Sequence, residues 1–169
     1  MKRKNAPVRL VLCLLVATSS LAGDAWVIRD HGAGPAKLGM SLAQLGAALH
    51  QEFSMPAEKD DQRCFYVNPL GHEHIAFMIV DKRLVRVDVD SRGIATSTGI
   101  QVGDSEERVH KVYGSRVKAT PHTYVDTGHY LTIRSEDPRF GVRFETTDGK
   151  ITMFYAGTFE AIQYVEGCE

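Results

Sequence analysis

The sequence predicts an α+β fold made of two tandem helix-plus-antiparallel-meander repeats, with the helices packed on one face of the sheet. Two observations predict it. Gly99 to Gly114, GIQVGDSEERVHKVYG, reads as a short strand, a glycine turn, a capped helix and a glycine stop, and Leu38 to His50, LGMSLAQLGAALH, follows the same grammar 64 positions upstream. Phe77, Asp81, Leu84 and Val87 then correspond to Phe144, Asp148, Ile151 and Phe154 at an offset of 67, both segments reading strand, tight turn, strand. Two offsets that differ by three residues describe one doubled unit with a small insertion. A chance likeness of two helix-and-hairpin segments is the other reading.

Taken in order, the chain begins with a targeting segment. Lys2, Arg3, Lys4 and Arg9 surround the start of the apolar run Leu10 to Ala17, and Ser20-Leu21-Ala22 supplies the small residues that a signal peptidase reads. Residues 1–22 are therefore expected to be a secretory signal, cut after Ala22 or alternatively after Ala25. A retained membrane anchor is the competing reading. Gly23 and Asp24 stand where a lipidated cysteine would be needed, so lipidation is not expected, and Cys13 leaves with the signal.

The first repeat with its N-terminal extension is assigned to residues 23–98, and the second to 99–169. Trp26 to Arg29 reads as a short strand or a tail, and His31 to Pro35 as a loop. Helix one is expected over Ser41 to Phe53, with Leu42, Leu45, Leu49 and Phe53 as its apolar stripe and Ser41 with Gln44 as a capping box. Met55 to Gln62 is a connector, Cys64 to Val67 a strand and Asn68 to Gly71 a turn. His74 to Val80 and Leu84 to Val89 form a hairpin whose second strand alternates Val85, Val87 and Val89 with Arg86, Asp88 and Asp90. Ile94 to Gly99 joins the repeats without a Pro- or Ser-rich hinge, which predicts one compact unit.

Helix two is expected over Ser105 to Tyr113, capped by Asp104 or Ser105, with Asp104 and Glu107 as the better capping box. Glu106 and Glu107 suit the positive end of its dipole, and Val109, Val112 and Tyr113 share a face. Val117 to His122 and Tyr124 read as a strand that Pro121 confines to an edge. His129 to Arg134, Phe140 to Thr146 and Lys150 to Ala156 form a meander turned by Asp148-Gly149, and Ile162 to Val165 is a last strand carrying Cys168 inward.

Composition narrows the function. Of 169 residues, 43% are hydrophobic, which describes a globular chain. Loss of the four basic residues of the signal leaves 16 basic and 21 acidic side chains, a net charge of −5 with neutral histidines. Interspersed acidic charge gives no footprint for nucleic acid and disfavours anionic lipid. No apolar run after the signal is long enough for a membrane span. Cys64 and Cys168 remain, and in an oxidising compartment they are most simply one disulfide, two free thiols being the alternative.

The signature Gly-x-Ser-x-x-x-apolar is carried by Gly39, Ser41 and Leu45 and again by Gly103, Ser105 and Val109, the second copy ending in Tyr113-Gly114 before a meander. It resembles the duplicated repeat of β-lactamase-inhibitor-like proteins and the single repeat of the small outer-membrane assembly lipoproteins, from about Leu38 to Tyr164. The resemblance implies helices on an antiparallel sheet, used as a protein-binding scaffold rather than for catalysis. The chain lacks the lipoproteins' cysteine, and no residue of the inhibitors' enzyme-binding loops carries over.

The search for chemistry yields little. His72 and His74 flank Glu73 at a strand start, where i and i+2 side chains point the same way and would share a metal ion if His129 or Asp126 completed the set. The bland reading is two solvated histidines. A nucleophile elbow, a CxxC pair and a P-loop are all missing from the sequence. His110 lies between core positions of helix two and reads as a surface or half-buried residue rather than a base; Glu106-Glu107 answer to the dipole and Asp60-Asp61 to a solvated loop. Asp88 and Asp90 share a strand face with Arg86, which offsets their repulsion. Tyr66, Tyr124, Tyr130 and Phe140 fall in or beside the strands and form the candidate binding surface, with core filling as the alternative for each. The expected function is an exported periplasmic or secreted protein, not an enzyme, without cofactor, that acts by contact with a protein partner. The alternatives are a metal-binding or metal-dependent hydrolytic protein using His72 and His74, and a purely structural envelope protein.

Overall fold

The computed structural model describes residues 26–168, so the secretory signal expected at 1–22, with Cys13, lies outside the described residues. Among the described residues the fold is α+β, with two α-helices and two sheets. The strands are β1 (Val27–Arg29), β2 (Gly32–Ala33), β3 (Ala36–Lys37), β4 (Cys64–Val67), β5 (Ile75–Val80), β6 (Arg83–Val89), β7 (Ala95–Thr96), β8 (Val117–Pro121), β9 (His129–Arg134), β10 (Phe140–Thr147) and β11 (Lys150–Thr158). The helices are α1 (Leu42–Leu49) and α2 (Glu106–Tyr113). The larger sheet has the order β4-β5-β6-β11-β10-β9-β8, with every neighbouring pair antiparallel. The smaller sheet is β3-β2-β1-β7, and β1 runs parallel to β7.

The helices start where the sequence predicts. The Ser41 hydroxyl accepts from the Gln44 N–H while Gln44 reaches back to the Ser41 N–H, a complete capping box. In α2 the cap is Ser105, which accepts from the Arg108 N–H, and the expected Asp104–Glu107 box is not formed. Asp104 instead accepts from the Gln101 N–H at 2.9 Å and closes the turn ahead of the helix. Helix α1 stops at Leu49, short of Phe53, because His50 takes a left-handed conformation at its C-cap.

Three other expectations are corrected. The HGAGP loop contains β2, and the Ile94 to Gly99 joint contains β7, since pairing with β1 satisfies backbone groups that composition alone assigned to a loop. The segment after β11 is not a strand: Ala161–Gln163 forms a 3₁₀ turn, and the chain then runs on to Cys168.

One face of the larger sheet carries the apolar core. Phe77, Val87, Val89, Leu131, Val142, Phe144, Phe154 and Ala156 point to one side and are buried, and Leu45 of α1, Val109 of α2 and Ile28 of β1 belong to the same cluster. Burying each large apolar side chain contributes roughly 1.5–3 kcal/mol, and this layer holds helices and small sheet against the strands.

Several backbone details recur between the halves. The β5–β6 and β10–β11 ladders each shift register once, between Met78 and Ile79 and between Glu145 and Thr146. The Gly39 N–H donates to the Leu84 carbonyl at 2.8 Å, and the Gly103 N–H to the Ile151 carbonyl at 2.8 Å. The Leu84 N–H donates to the Met40 carbonyl and the Ile151 N–H to the Asp104 carbonyl, both at 2.9 Å. At the seam, Val87 pairs with Ala156, Asp88 with Tyr155 and Val89 with Phe154, three pairs symmetric about Asp88–Tyr155, and Arg86 with Gly157 is a fourth pair without a symmetric counterpart.

Both hairpin turns have positive φ at their two central residues, 47° and 65° at Asp81 and Lys82, 50° and 71° at Asp148 and Gly149. Such turns favour glycine in second place, and a left-handed lysine carries a cost of about 1 kcal/mol. Lys82→Gly is expected to raise stability by about 0.5–1 kcal/mol, checked by the urea midpoint at unchanged slope.

Candidate functional site

The second face of the larger sheet is the candidate site. Its centre is Arg86 on β6, which is 3% exposed. Residues i and i+2 of a strand point the same way, so Arg86 lies beside Asp88. Arg86 Nε donates to Asp88 Oδ1 and Nη2 to Asp88 Oδ2, both at 2.7 Å. Nη2 also donates to the Tyr66 hydroxyl at 2.7 Å, and Nη1 donates to the carbonyls of Ala161 (2.9 Å) and Tyr164 (2.8 Å). The guanidinium lies 4.3 Å from the centre of the Tyr155 ring. All five of its donors are thereby engaged.

Burial pushes the Asp88 carboxyl up from its ordinary value, against the pull of the Arg86 and Tyr66 hydrogen bonds. Burial works against the Arg86 charge as well, but the Asp88 contacts outweigh it and raise its value. Burial and the nearby Asp88 charge push the Tyr66 phenol up to about 12, so it stays protonated and donates to Asp88 Oδ2 at 3.2 Å.

A strap formed by residues 159–168 crosses this face. A place for it exists because Gly141 and Gly157 pair across β10 and β11 and leave that row without side chains. A Cβ on Gly141 would sit 2.8 Å from Ile162 Cδ1, so Ile162 and Ala161 fill the trough and are buried. Arg134 stacks 3.4 Å from the centre of the Phe159 ring, and Arg143 donates to the main-chain and side-chain oxygens of Gln163. The strap ends in the Cys64–Cys168 disulfide, with Cα atoms 5.2 Å apart, as the cysteine count predicts.

Beyond the strap the face opens into a groove of about 270 Å³ lined by Tyr66, Ala76, Asp88, Asp90, His74 and Met153, among others. A chain of polar contacts continues toward β8. The Tyr155 hydroxyl donates to Glu145 Oε1 at 3.0 Å, and Glu145 Oε2 lies 3.2 Å from His122 Nε2. His122 Nδ1 accepts from the Tyr124 N–H, so Nε2 carries the proton toward Glu145 and neither ring nitrogen is free to act as a base. Burial and the Glu145 charge raise the Tyr155 phenol far above its ordinary value.

The predicted surface residues are not gathered into one patch. Tyr66 is 36% exposed on β4 and Tyr124 61% exposed beyond β8, at opposite ends of the larger sheet. Tyr130 is 4% exposed, with the His122 ring stacked 4.4 Å away and Arg143 on it at 5.2 Å. Phe140 is half-buried beneath Arg139.

His72 and His74 both precede β5, so strand parity does not align them: His72 packs on Trp26 at 4.5 Å and His74 Nδ1 lies 2.8 Å from Asp90. Among the described residues no three His, Cys, Asp or Glu side chains gather to hold a metal ion. Arg86, Arg143, Glu145 and His122 were not singled out as a site by sequence; only Arg86 beside Asp88 on one strand face gave a signal.

On the helix side, Glu106 accepts from the Thr146 hydroxyl and lies 2.9 Å from His129 Nδ1. Burial alone would raise its carboxyl, but these contacts outweigh it and hold it below the ordinary value. A carboxylate depressed in the folded state contributes stability above its unfolded pKa and loses it as pH falls through the folded one. Glu106→Gln is expected to lower stability by about 0.5–1.5 kcal/mol at neutral pH and to shrink the acid-side loss below about pH 4. Urea unfolding across that range checks both.

No family model and no curated protein matches the chain. It is similar in part to an extracellular protein containing a SCP domain from Bacillus anthracis str. Ames, known from a 1.5 Å crystal structure. The TM-score is 0.47 and the identity 10%, over 75% of this chain and 45% of that one, so the chain spans less than half of that protein's length.

Proposed function

We propose that the chain is an exported, non-enzymatic binding protein that works by contact with another protein through the strap-side face of the larger sheet. One observation carries this reading. Tyr66, Tyr164 and Val165 stay 36%, 39% and 37% exposed on or beside that face, while the ionisable groups beneath them are hydrogen-bonded to one another. Aromatic side chains held in place by a paired layer bind at low entropic cost. Export, to the periplasm or beyond the cell, is supported by the basic and apolar N-terminal segment and by the disulfide.

The scaffold is read as one unit doubled, residues 23–98 and 99–169. The shared register shifts, the paired glycine contacts and the symmetric seam support it. Its test is expression of 99–169 with Cys168→Ser: a doubled unit predicts a dimer that rebuilds the seam from two copies of β11, and a soluble folded monomer argues against it.

The functional reading is tested with a photo-crosslinking amino acid placed at Tyr164 in the producing cells. A discrete adduct at Tyr164, and none with the same probe at Val112 on α2, is the expected result. Loss of the adduct when Tyr66→Ala is added ties it to this face. No adduct at Tyr164, or an equal adduct at Val112, would remove the reading.

A further inference from the structure

We infer that the Cys64–Cys168 disulfide is a redox latch on the outer half of the strap, and that its reduction uncovers Tyr66 and one donor of Arg86. The inference rests on the binding face proposed above and assigns it a control. The strap has two parts held in different ways. Its inner half, Ala161 to Gln163, is anchored by burial of Ala161 and Ile162 in the glycine trough and by hydrogen bonds to Arg86 and Arg143. Its outer half is not anchored in that way. Among the described residues, no hydrogen bond is formed by residues 165–168, and Val165 and Glu166 are exposed. What holds this half down is the sulfur bond, together with Gly167 lying against Tyr66, where a Cβ would sit 2.8 Å from the tyrosine hydroxyl.

The bond is also reachable. Cys64 and Cys168 line a surface depression of about 610 Å³ together with Val80, Tyr164 and Val165. A dithiol reductant can enter by thiolate attack on either sulfur. The Cys64–Cys168 bond breaks, the reductant closes to its own disulfide, and two electrons and two protons pass to the cysteine pair.

Release of the outer half frees the Tyr66 ring and lets the Tyr164 carbonyl leave Arg86 Nη1. The remaining Arg86 contacts, to Asp88, Tyr66 and Ala161, do not involve the released residues. The uncovered surface is an aromatic ring beside one charged N–H, a seat for a partner segment that brings a main-chain carbonyl in place of Tyr164's.

The test needs no partner, so it stands or falls apart from the functional reading. Protein reduced with a dithiol and alkylated, and separately the Cys64→Ser/Cys168→Ser variant, are footprinted with hydroxyl radicals and read by mass spectrometry. Tyr66 starts at 36% exposed, so its oxidation rate is expected to rise up to about threefold in both samples, while Phe77 and Phe154, at 0%, stay protected. An unchanged Tyr66 rate overturns the latch. A rise at Phe77 and Phe154 along with Tyr66 also overturns it, because the bond would then hold the whole fold.

Discussion

Arg86→Ala is expected to destabilise the protein by about 3–5 kcal/mol, the cost of leaving one member of a buried pair alone. Asp88 would keep its burial and lose both short bonds from the guanidinium. The strap would lose two of its anchors, at the Ala161 and Tyr164 carbonyls. Domain stabilities run to about 5–15 kcal/mol, so this one substitution removes a large share. Arg86→Met combined with Asp88→Leu should cost much less, because it removes both charges and keeps the volume. Urea unfolding of the three proteins separates the outcomes: equal losses in the single and double variants would mean that packing, not the stranded carboxylate, sets the cost.

Gly157→Ala is the second large effect. A Cβ there would lie 2.3 Å from the Val85 carbonyl oxygen and 2.8 Å from the Arg86 Cα, both backbone atoms of the neighbouring β6. Neither can swing aside as a side-chain tip would, so β6 and β11 must part at the seam. Overpacking of this kind costs about 1–3 kcal/mol, and the loss is expected at the upper end because the obstacle is main chain. The comparison is Gly149→Ala, where nothing stands within 4 Å of the added atom and only the positive φ of 71° is penalised. Thermal unfolding should place Gly157→Ala below Gly149→Ala; the reverse order would mean that the seam adjusts freely.

What the sequence revealed about this fold was local. The cap at Ser41, the Asp148-Gly149 turn, the edge position of the Pro121 strand and the Cys64–Cys168 bond all follow from residue types at short spacing or from simple counting, whereas Ser105 was one of two candidate caps. The small sheet did not, because β2, β3 and β7 are two residues long and gain stability only from one another across the chain. The candidate site was half legible. Alternation put Arg86 and Asp88 on the face opposite Val87, which the structure bears out, but suggested a face open to water. The cover comes from residues 159–168, whose trough is made by two glycines, Gly141 and Gly157, sixteen positions apart. Side-chain absence at paired positions leaves no hydrophobic pattern to read. Tyr130 was ambiguous for a related reason: a tyrosine suits a surface or a core equally, and only the stacked His122 decides it.

The position of Pro121 bears on how the molecule behaves in a crowded compartment. His122 donates to the Gly128 carbonyl, so by strand alternation the backbone groups of Val117, Ala119 and Pro121 face away from β9. Of the three outward sites, Val117's N–H is bound to the Gly114 carbonyl and proline has none, which leaves Ala119 as the lone donor. A stray strand arriving at this rim would find one hydrogen to grip, which makes β8 a poor template for edge-to-edge growth into fibres.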